Sequence, residues 1–260
     1  MLKTCAATLI LMATITAMAP TAFAQGNKGP SRILDPVGWA RANDASNDRG
    51  ILTQHADTLP EGDFSINSYE LFFLGVSYGV TDDFQVSATT LLPIIAGLPT
   101  VLLLNGKYVL ERNKHQVVSM GGNVAIFNES DQFTAFGISF NIDQYLGSEG
   151  VLGLHGSVDL QGFIGDGEFQ EGTIARITGG LNLHAGNRTR LLLELTSPVL
   201  FSPNSDPQVE SPGMLVNYGV RFHNADLAVD LAFARPVSFE GDVESPFFLG
   251  LPFVAFSAKF

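Results

Sequence analysis

Gly213-Met214-Leu215-Val216-Asn217-Tyr218-Gly219-Val220-Arg221-Phe222-His223 is followed, after Asn224-Ala225-Asp226, by Leu227-Ala228-Val229-Asp230-Leu231-Ala232-Phe233-Ala234. Met214, Val216, Tyr218, Val220 and Phe222 recur at every second position, as do Leu227, Val229, Leu231 and Phe233. Period two places alternate side chains on opposite faces of a strand. His223 to Asp226 is rich in residues that tolerate turn geometry, so the stretch reads as two antiparallel strands joined tightly. Each strand has one apolar face, and the other face carries Asn217, Arg221, His223 and Asp230.

The pattern extends through most of the chain. Phe136, Ile138, Phe140 and Ile142 oppose Gly137, Ser139, Asn141 and Asp143; Leu152, Leu154, Val158, Leu160 and Ile164 oppose His155, Ser157, Asp159 and Gln161. Read this way, the sequence predicts about twelve strands, roughly 50–58, 63–80, 84–95, 100–111, 116–127, 133–143, 151–165, 172–185, 189–200, 213–223, 226–239 and 247–260. Ten or fourteen strands are also compatible with the pattern. Most exceed the usual globular strand of about 5–6 residues and suit tilted strands crossing a bilayer, which take about 9–11. Short turns at Thr81 to Asp83, Gly186 to Arg188 and His223 to Asp226 alternate with Leu59 to Asp63, Ile94 to Pro99, Asn128 to Gln132, Asp166 to Glu171, Phe201 to Pro212 and Glu240 to Pro246, while Arg112 to His115 and Gln144 to Gly150 fall on the side of the short turns, the second longer than the rule prefers. Short periplasmic turns and longer external loops alternate in this order around a transmembrane barrel.

Composition separates lipid from water as the surrounding solvent. Mean hydropathy is +0.21, yet the chain after its first two dozen residues has no run of about 18 uncharged apolar residues that could span as a helix. Only 15% of residues are charged, which is low for a water-facing surface. The less apolar face is rich in small uncharged groups such as Ser119, Gly121 and Asn123, or Gln85, Ser87 and Thr89. In lipid the apolar face points outward and the polar face lines the lumen, and the sheet closes because an open edge would strand peptide groups in hydrocarbon. The fold class expected is therefore all-β: a closed antiparallel up-and-down transmembrane β-barrel over residues 50–260.

The amino end supplies the route. Lys3, the apolar run Cys5 to Met18 and Ala22-Phe23-Ala24 before Gln25 form the charged, apolar and small-residue regions of a secretory signal peptide. Residues 1–24 are expected to be removed, and with them the only cysteine, Cys5. The mature chain then has neither disulfide nor thiolate chemistry, and no cofactor or metal site is expected. A formal net charge of −12 argues against nucleic acid, whose phosphates call for a basic face. Residues 25–49 form a polar amino-terminal segment with the single tryptophan, Trp39; it suits a leader, a short helix at the periplasmic mouth or a plug in the lumen.

At the carboxyl end, Phe248, Gly250, Pro252, Val254, Phe256, Ala258 and Phe260 alternate with Leu249, Leu251, Phe253, Ala255, Ser257 and Lys259. A last strand of this kind, ending in an aromatic residue, resembles the segment by which Gram-negative outer-membrane β-barrel proteins, the porin-like and transporter-like class, are recognised for assembly. The resemblance implies an outer-membrane location, with Phe256 and Phe260 as the assembly signal. It also implies the barrel-assembly machinery, outer-membrane lipid and lipopolysaccharide as partners.

With the apolar face in lipid, the lumen is expected to receive Asn105, Lys107, Glu111, Asp143, His155, Asp159, Arg176, His184, Arg190, Glu194, Asn217, Arg221, His223, Asp230 and Lys259. Lys107, Asp143, His155, Asp159, Arg176, Arg190, Glu194, Arg221 and Asp230 are the candidates for work inside it. Ion pairing across the interior is the first expectation, because buried charges are generally paired. A ladder of Arg176, Arg190 and Arg221 facing Asp159, Glu194 and Asp230 is the alternative, setting a field along a constriction. Acidic residues gather in the predicted external loops: Glu61, Asp63, Glu129, Asp131, Asp166, Glu168, Glu171, Asp206, Glu210, Glu240, Asp242 and Glu244. They suit a solvated rim, or a mouth that favours cations. Asp166-Gly167-Glu168 lacks the remaining ligands of a calcium loop. His155, Ser157 and Asp159 share a face, but side chains two apart on a strand stand roughly 6–7 Å apart, too far for a triad. A channel or transporter for small solutes is the leading function. A plugged structural or adhesive barrel comes next, and a lipid-modifying enzyme last; no catalytic residue is assigned.

Overall fold

The computed structural model describes residues 36–69, 73–91, 100–128, 133–147, 151–165, 172–201, 213–238 and 249–260; the expected signal peptide lies outside them. Twelve strands form one sheet: β1 (Phe64–Tyr69), β2 (Phe73–Thr81), β3 (Phe84–Leu91), β4 (Thr100–Arg112), β5 (Gln116–Asn128), β6 (Phe133–Leu146), β7 (Leu152–Gly165), β8 (Gly172–Gly186), β9 (Thr189–Phe201), β10 (Gly213–His223), β11 (Leu227–Ser238) and β12 (Leu251–Lys259). Each pairs antiparallel with its sequence neighbours, and β1 pairs with β12 from Ser65↔Lys259 to Tyr69↔Ala255, closing the barrel. Up-and-down order follows from the tight turns, since antiparallel neighbours need only a short connection.

Side chains sort as the alternation requires. Leu102, Leu104, Tyr108 and Leu110 of β4 and Phe136, Ile138, Phe140 and Ile142 of β6 are exposed on the outside, a surface that is costly in water and favourable in hydrocarbon. Inward positions carry buried polar groups, among them Ser119, Asn141, Asp143, Asn217, Arg221 and Asp230. On β12 the inward Phe253, Ala255, Ser257 and Lys259 are buried, whereas Val254, Phe256 and Phe260 are exposed.

Residues 36–59 lie inside the wall, and 60–63 lead from them to β1 at its rim. α1 (Pro36–Asn43) opens with proline, whose missing N–H costs nothing at the first helical position. It ends near Arg41, a cation placed favourably at a helix carboxyl terminus. Asp44 N–H donates to Ala40 O, and Ser46 N–H donates to the Asp44 side chain, an Asx turn that redirects the chain. A narrow reversal follows, with Arg49 bridged to Gln54. Asp44 to Leu59 is almost wholly buried.

Three sequence expectations are corrected here. Residues 50–58 form no barrel strand; they belong to the luminal segment, so that segment exceeds the expected 25–49 and the wall begins at Phe64. Ile51 and Leu52 are adjacent and both buried, which a two-faced strand would forbid. The predicted strand 63–80 is two strands, β1 and β2, so the total of twelve survives by compensation. Leu59 to Asp63 is not an external loop: Gly62 N–H donates to Gly79 O, and Glu61 N–H donates to Asp82, which places it beside the short turn at residues 82–83. That turn, those at 113–115, 187–188 and 224–226, and the β6 and β7 ends at Leu146 and Leu152 share the end where Phe260 meets Phe64. We call it the turn end and the opposite one the loop end.

Candidate functional site

Glu111 was expected in the lumen but is exposed. A bulge between Val109 and Glu111 shifts the β4 register, and an extra residue reverses which side chains face inward. Arg112, the next residue, turns instead toward the lumen and donates to Asp57 through Nε and Nη2 at 3.2 and 2.8 Å. It also reaches Asp83 at 2.6 Å.

The nine principal lumen candidates divide by what they bind. Arg221 donates to Asp230 through Nε at 2.7 Å and Nη2 at 2.9 Å. Arg176 pairs with Asp159 at 3.0 Å. Both pairs are direct cross-strand neighbours, the arrangement in which opposite charges help a sheet. Four of the other five bind residues 36–63 directly, and His155 sets its ring 4.6 Å from that of His55. Lys107 Nζ donates to His55 O at 3.1 Å and to Asp48 O at 3.4 Å. Asp143 accepts from Ala56 N–H at 2.8 Å and lies 2.8 Å from His155 Nδ1. Arg190 pairs with Asp44 at 3.1 Å. Glu194 accepts from Ile51 N–H, Leu52 N–H and Thr53 Oγ1 at 2.6, 3.0 and 2.8 Å.

Glu194 is thus no rung opposite an arginine ladder; its partners are the tip of the inserted segment. Gly50 makes that approach possible, because a Cβ there would stand 1.5 Å from Glu194 Oε1. Gly79 plays the same part at the entrance, where a Cβ would stand 2.0 Å from Pro60 O.

The segment brings charges of its own. Arg49 Nη1 lies 2.8 Å from Asp230 Oδ2, and Arg49 Nη2 donates to Ser257 Oγ at 2.7 Å. Arg221 Nη1 also donates to Ser46 O, and its Nη2 to Gly50 O. Burial raises the Asp44 carboxyl, but Arg190 and Arg221, with His223, outweigh it and hold the group well below the usual carboxylate range. Asp48 is moved the other way by burial, with Lys107 opposing. Such a set of buried charges is tolerable only when each charge is paired and further hydrogen-bonded.

Apolar contacts are fewer and fall into two groups. Ile51 and Leu52 pack with Leu192, Ala232, Phe253 and Ala255. Val37, Ala40 and Ala56 pack with Val109, Val117 and Tyr145. Trp39 packs against His184 with ring centroids 4.6 Å apart and planes tilted by 48°, His223 Nδ1 lies 2.8 Å from Asn43 O, and Lys259 Nζ donates to Arg41 O at 3.0 Å.

Sequence reasoning missed Asp44, Asp48, Arg49, Asp57 and Arg112 as members of the site. For Asp44, Asp48 and Arg49 the signal was the dense Asn43-Asp44-Ala45-Ser46-Asn47-Asp48-Arg49 run, which announces turns but not a location; Asp57 and Arg112 lie outside it. The His155 hydrogen bond crosses to Asp143 on β6, while Ser157 faces a separate cavity. His155 Nε2 is buried without a partner among the described residues, so the row His155, Ser157, Asp159 does not assemble a triad. Apart from Glu61 and Asp63, the acidic rim residues lie outside the described set, as does Asp166-Gly167-Glu168.

No protein-family profile and no curated protein sequence matches the chain. Among solved structures, the NanC porin is similar over 75% of this chain and 96% of its own, with TM-score 0.47 and 9% identity. The KdgM porin, solved in complex with disordered oligogalacturonate, is similar over 75% and 94%, with TM-score 0.45 and 7% identity. OmpT of Vibrio cholerae, an outer-membrane protein, is similar over 72% and 64%, with TM-score 0.42 and 12% identity. A closed wall of twelve antiparallel strands, apolar outside and polar within, gives this chain the architecture of a transmembrane β-barrel.

Proposed function

We propose that the protein resides in the outer membrane as a channel for small solutes, held closed from the periplasmic side by its own residues 36–63. The carrying observation is how the plug is attached. Its main ties to the wall are ion pairs and hydrogen bonds to Arg112, Asp143, Arg190, Glu194, Arg221 and Asp230, whereas the strand ladder closes without it. Hydrogen bonds and ion pairs can be exchanged for water when the plug shifts, and the wall keeps every backbone partner it needs in lipid. A single contiguous apolar core between plug and wall would instead make the two inseparable.

On this reading the turn end faces the periplasm and the loop end the exterior, with the acidic loops favouring cations at the mouth. The test is single-channel current from the refolded mature chain, compared with a chain lacking residues 25–58. Rare openings in the first and steady current in the second are expected. Silence in both would point to a sealed structural or adhesive barrel, which the same buried charge network favours if the plug never leaves.

A further inference from the structure

The plug is eccentric, and the wall it leaves uncovered has a uniform chemistry. Bonded contacts to residues 36–63 come from the turn-end halves of β3 to β6, through Gln85, Lys107, Arg112, Asp143 and Tyr145. They also come from β9 to β12, through Arg190, Glu194, Arg221 and Ser257. Between the plug tip at Leu52 to Gln54 and the middle and loop-end parts of β4 to β8 lies a cavity. Its wall presents Asn105, Asn123, Asn141, Ser157 and Gln161, beside the Asp159–Arg176 pair.

Each wall amide offers donors and acceptors together, and the serine hydroxyl does the same. The hydrogen bonds described for this crescent stay within the wall: Arg176 Nε donates to Asp159, and Asn141 Nδ2 to Ser119 and Ser139. Among the described residues its one acid and one base are paired with each other, so they offer little net charge with which to select an ion. Leu103 and Leu52 add a small apolar patch. With the plug seated the space is narrow, about 30 Å³, enough for about two waters. A solute therefore occupies the crescent only as the tip gives way, which ties occupancy to plug position.

We propose that this crescent is the docking and passage site for neutral polyhydroxylated solutes of monosaccharide size, which slip between the plug tip and the β4–β8 wall. Vicinal hydroxyls donate and accept like the amides they meet, whereas an inorganic ion or a hydrocarbon would leave those amides unsatisfied. With few fixed charges, binding stays weak enough for release on either side. The proposal names the cargo of the channel reading and rests on it: docking needs the plug tip to give way, and passage needs the channel to open as well.

The test separates the two. Saturation-transfer NMR of glucose with the detergent-solubilised mature chain should give a signal that sodium chloride does not displace and myo-inositol does. The double replacement Asn141→Leu with Gln161→Leu should weaken it by about tenfold, near the loss of one or two hydrogen bonds. Asn182→Leu, on the turn-end half of β8, should leave it unchanged; both variants must keep their compact unboiled mobility on gels. No signal in the wild type, or an unaltered signal in the double variant, overturns the proposal. Glucose binding without current would retain the docking site and overturn passage, while current with no glucose binding would overturn the site and leave the channel standing.

Discussion

Arg190 and Arg221 are direct cross-strand neighbours on β9 and β10, and the carboxylate of Asp44 lies 3.1 and 3.5 Å from their respective guanidinium groups. Like charges opposite one another destabilise a sheet, and here both are buried. The wall alone offers Arg221 the Asp230 carboxylate, but the acid described beside Arg190 comes from the plug.

Asp44→Asn should therefore loosen the plug and leave the barrel intact. Removing one partner of a buried ionic group costs about 3–5 kcal/mol, and the strands keep their ladder. Channel recordings should show openings at least tenfold more frequent, with unchanged heat resistance of the wall. Unaltered recordings would mean that Arg190 is satisfied in another way and that Asp44 is no latch.

Glu194→Gln tests the tip. The neutral amide still accepts, but the charge assistance is lost from the bonds to Ile51, Leu52 and Thr53, and hydrogen bonds to charged groups carry about 1.5–3 kcal/mol against about 1 for neutral ones. Amide hydrogen exchange at Ile51 and Leu52 should quicken by roughly tenfold. Gly50→Ala should act at the same place, because its new methyl would occupy the position of Glu194 Oε1. Protection equal to wild type in both variants would remove Glu194 from the account.

Acid should release the plug through His55. Burial lowers its pKa from the ordinary 6.5 to about 3, with the nearby Asp143 opposing and His155, Arg221 and Arg190 assisting. A released segment takes up this proton near 6.5, whereas a seated one resists until about 3. The seated state therefore loses stability as pH falls through this window, by up to about 1.4 kcal/mol per unit. Asp44 adds to the loss at the acid end, since its own carboxylate is held charged in the seated plug. Open probability should rise as pH falls from 7 toward 4 on the basis of that linkage, and His55→Gln should flatten the rise. A slope identical in both proteins would count against His55.

Assembly should depend on Phe260. Phe260 is exposed at the end of β12, beyond the outward Phe256, where an aromatic ring suits an interfacial girdle. Phe260→Ser should lower the amount of folded barrel in outer-membrane fractions several-fold, and chain recovered there at wild-type level would set the assembly role aside.

Much of this architecture was legible before any coordinates. Period-two runs such as Phe136 to Ile142 and Leu227 to Phe233 determine both the strands and their lipid-facing side, because burial in a sheet has the same period as the chain. The same parity sent Lys107, Asp143, Arg190, Glu194, Arg221 and Asp230 to the lumen. Parity is a local property, and it failed where a local event broke it: one bulge at Val109/Glu111 exchanged Glu111 for Arg112.

Tertiary structure alone decided what fills the barrel. Ile51 to Leu59 has strand-like composition, and nothing in its neighbours in sequence says that Glu194 and Asp143 will bind its backbone from across the lumen. The partners of Arg190 and Arg221 were equally hidden, since Asp44 reaches them only after the chain has turned back inside the wall. Which faces are apolar follows from the order of residues; which charges meet depends on closure of the barrel, which brings distant segments into one confined, low-dielectric space.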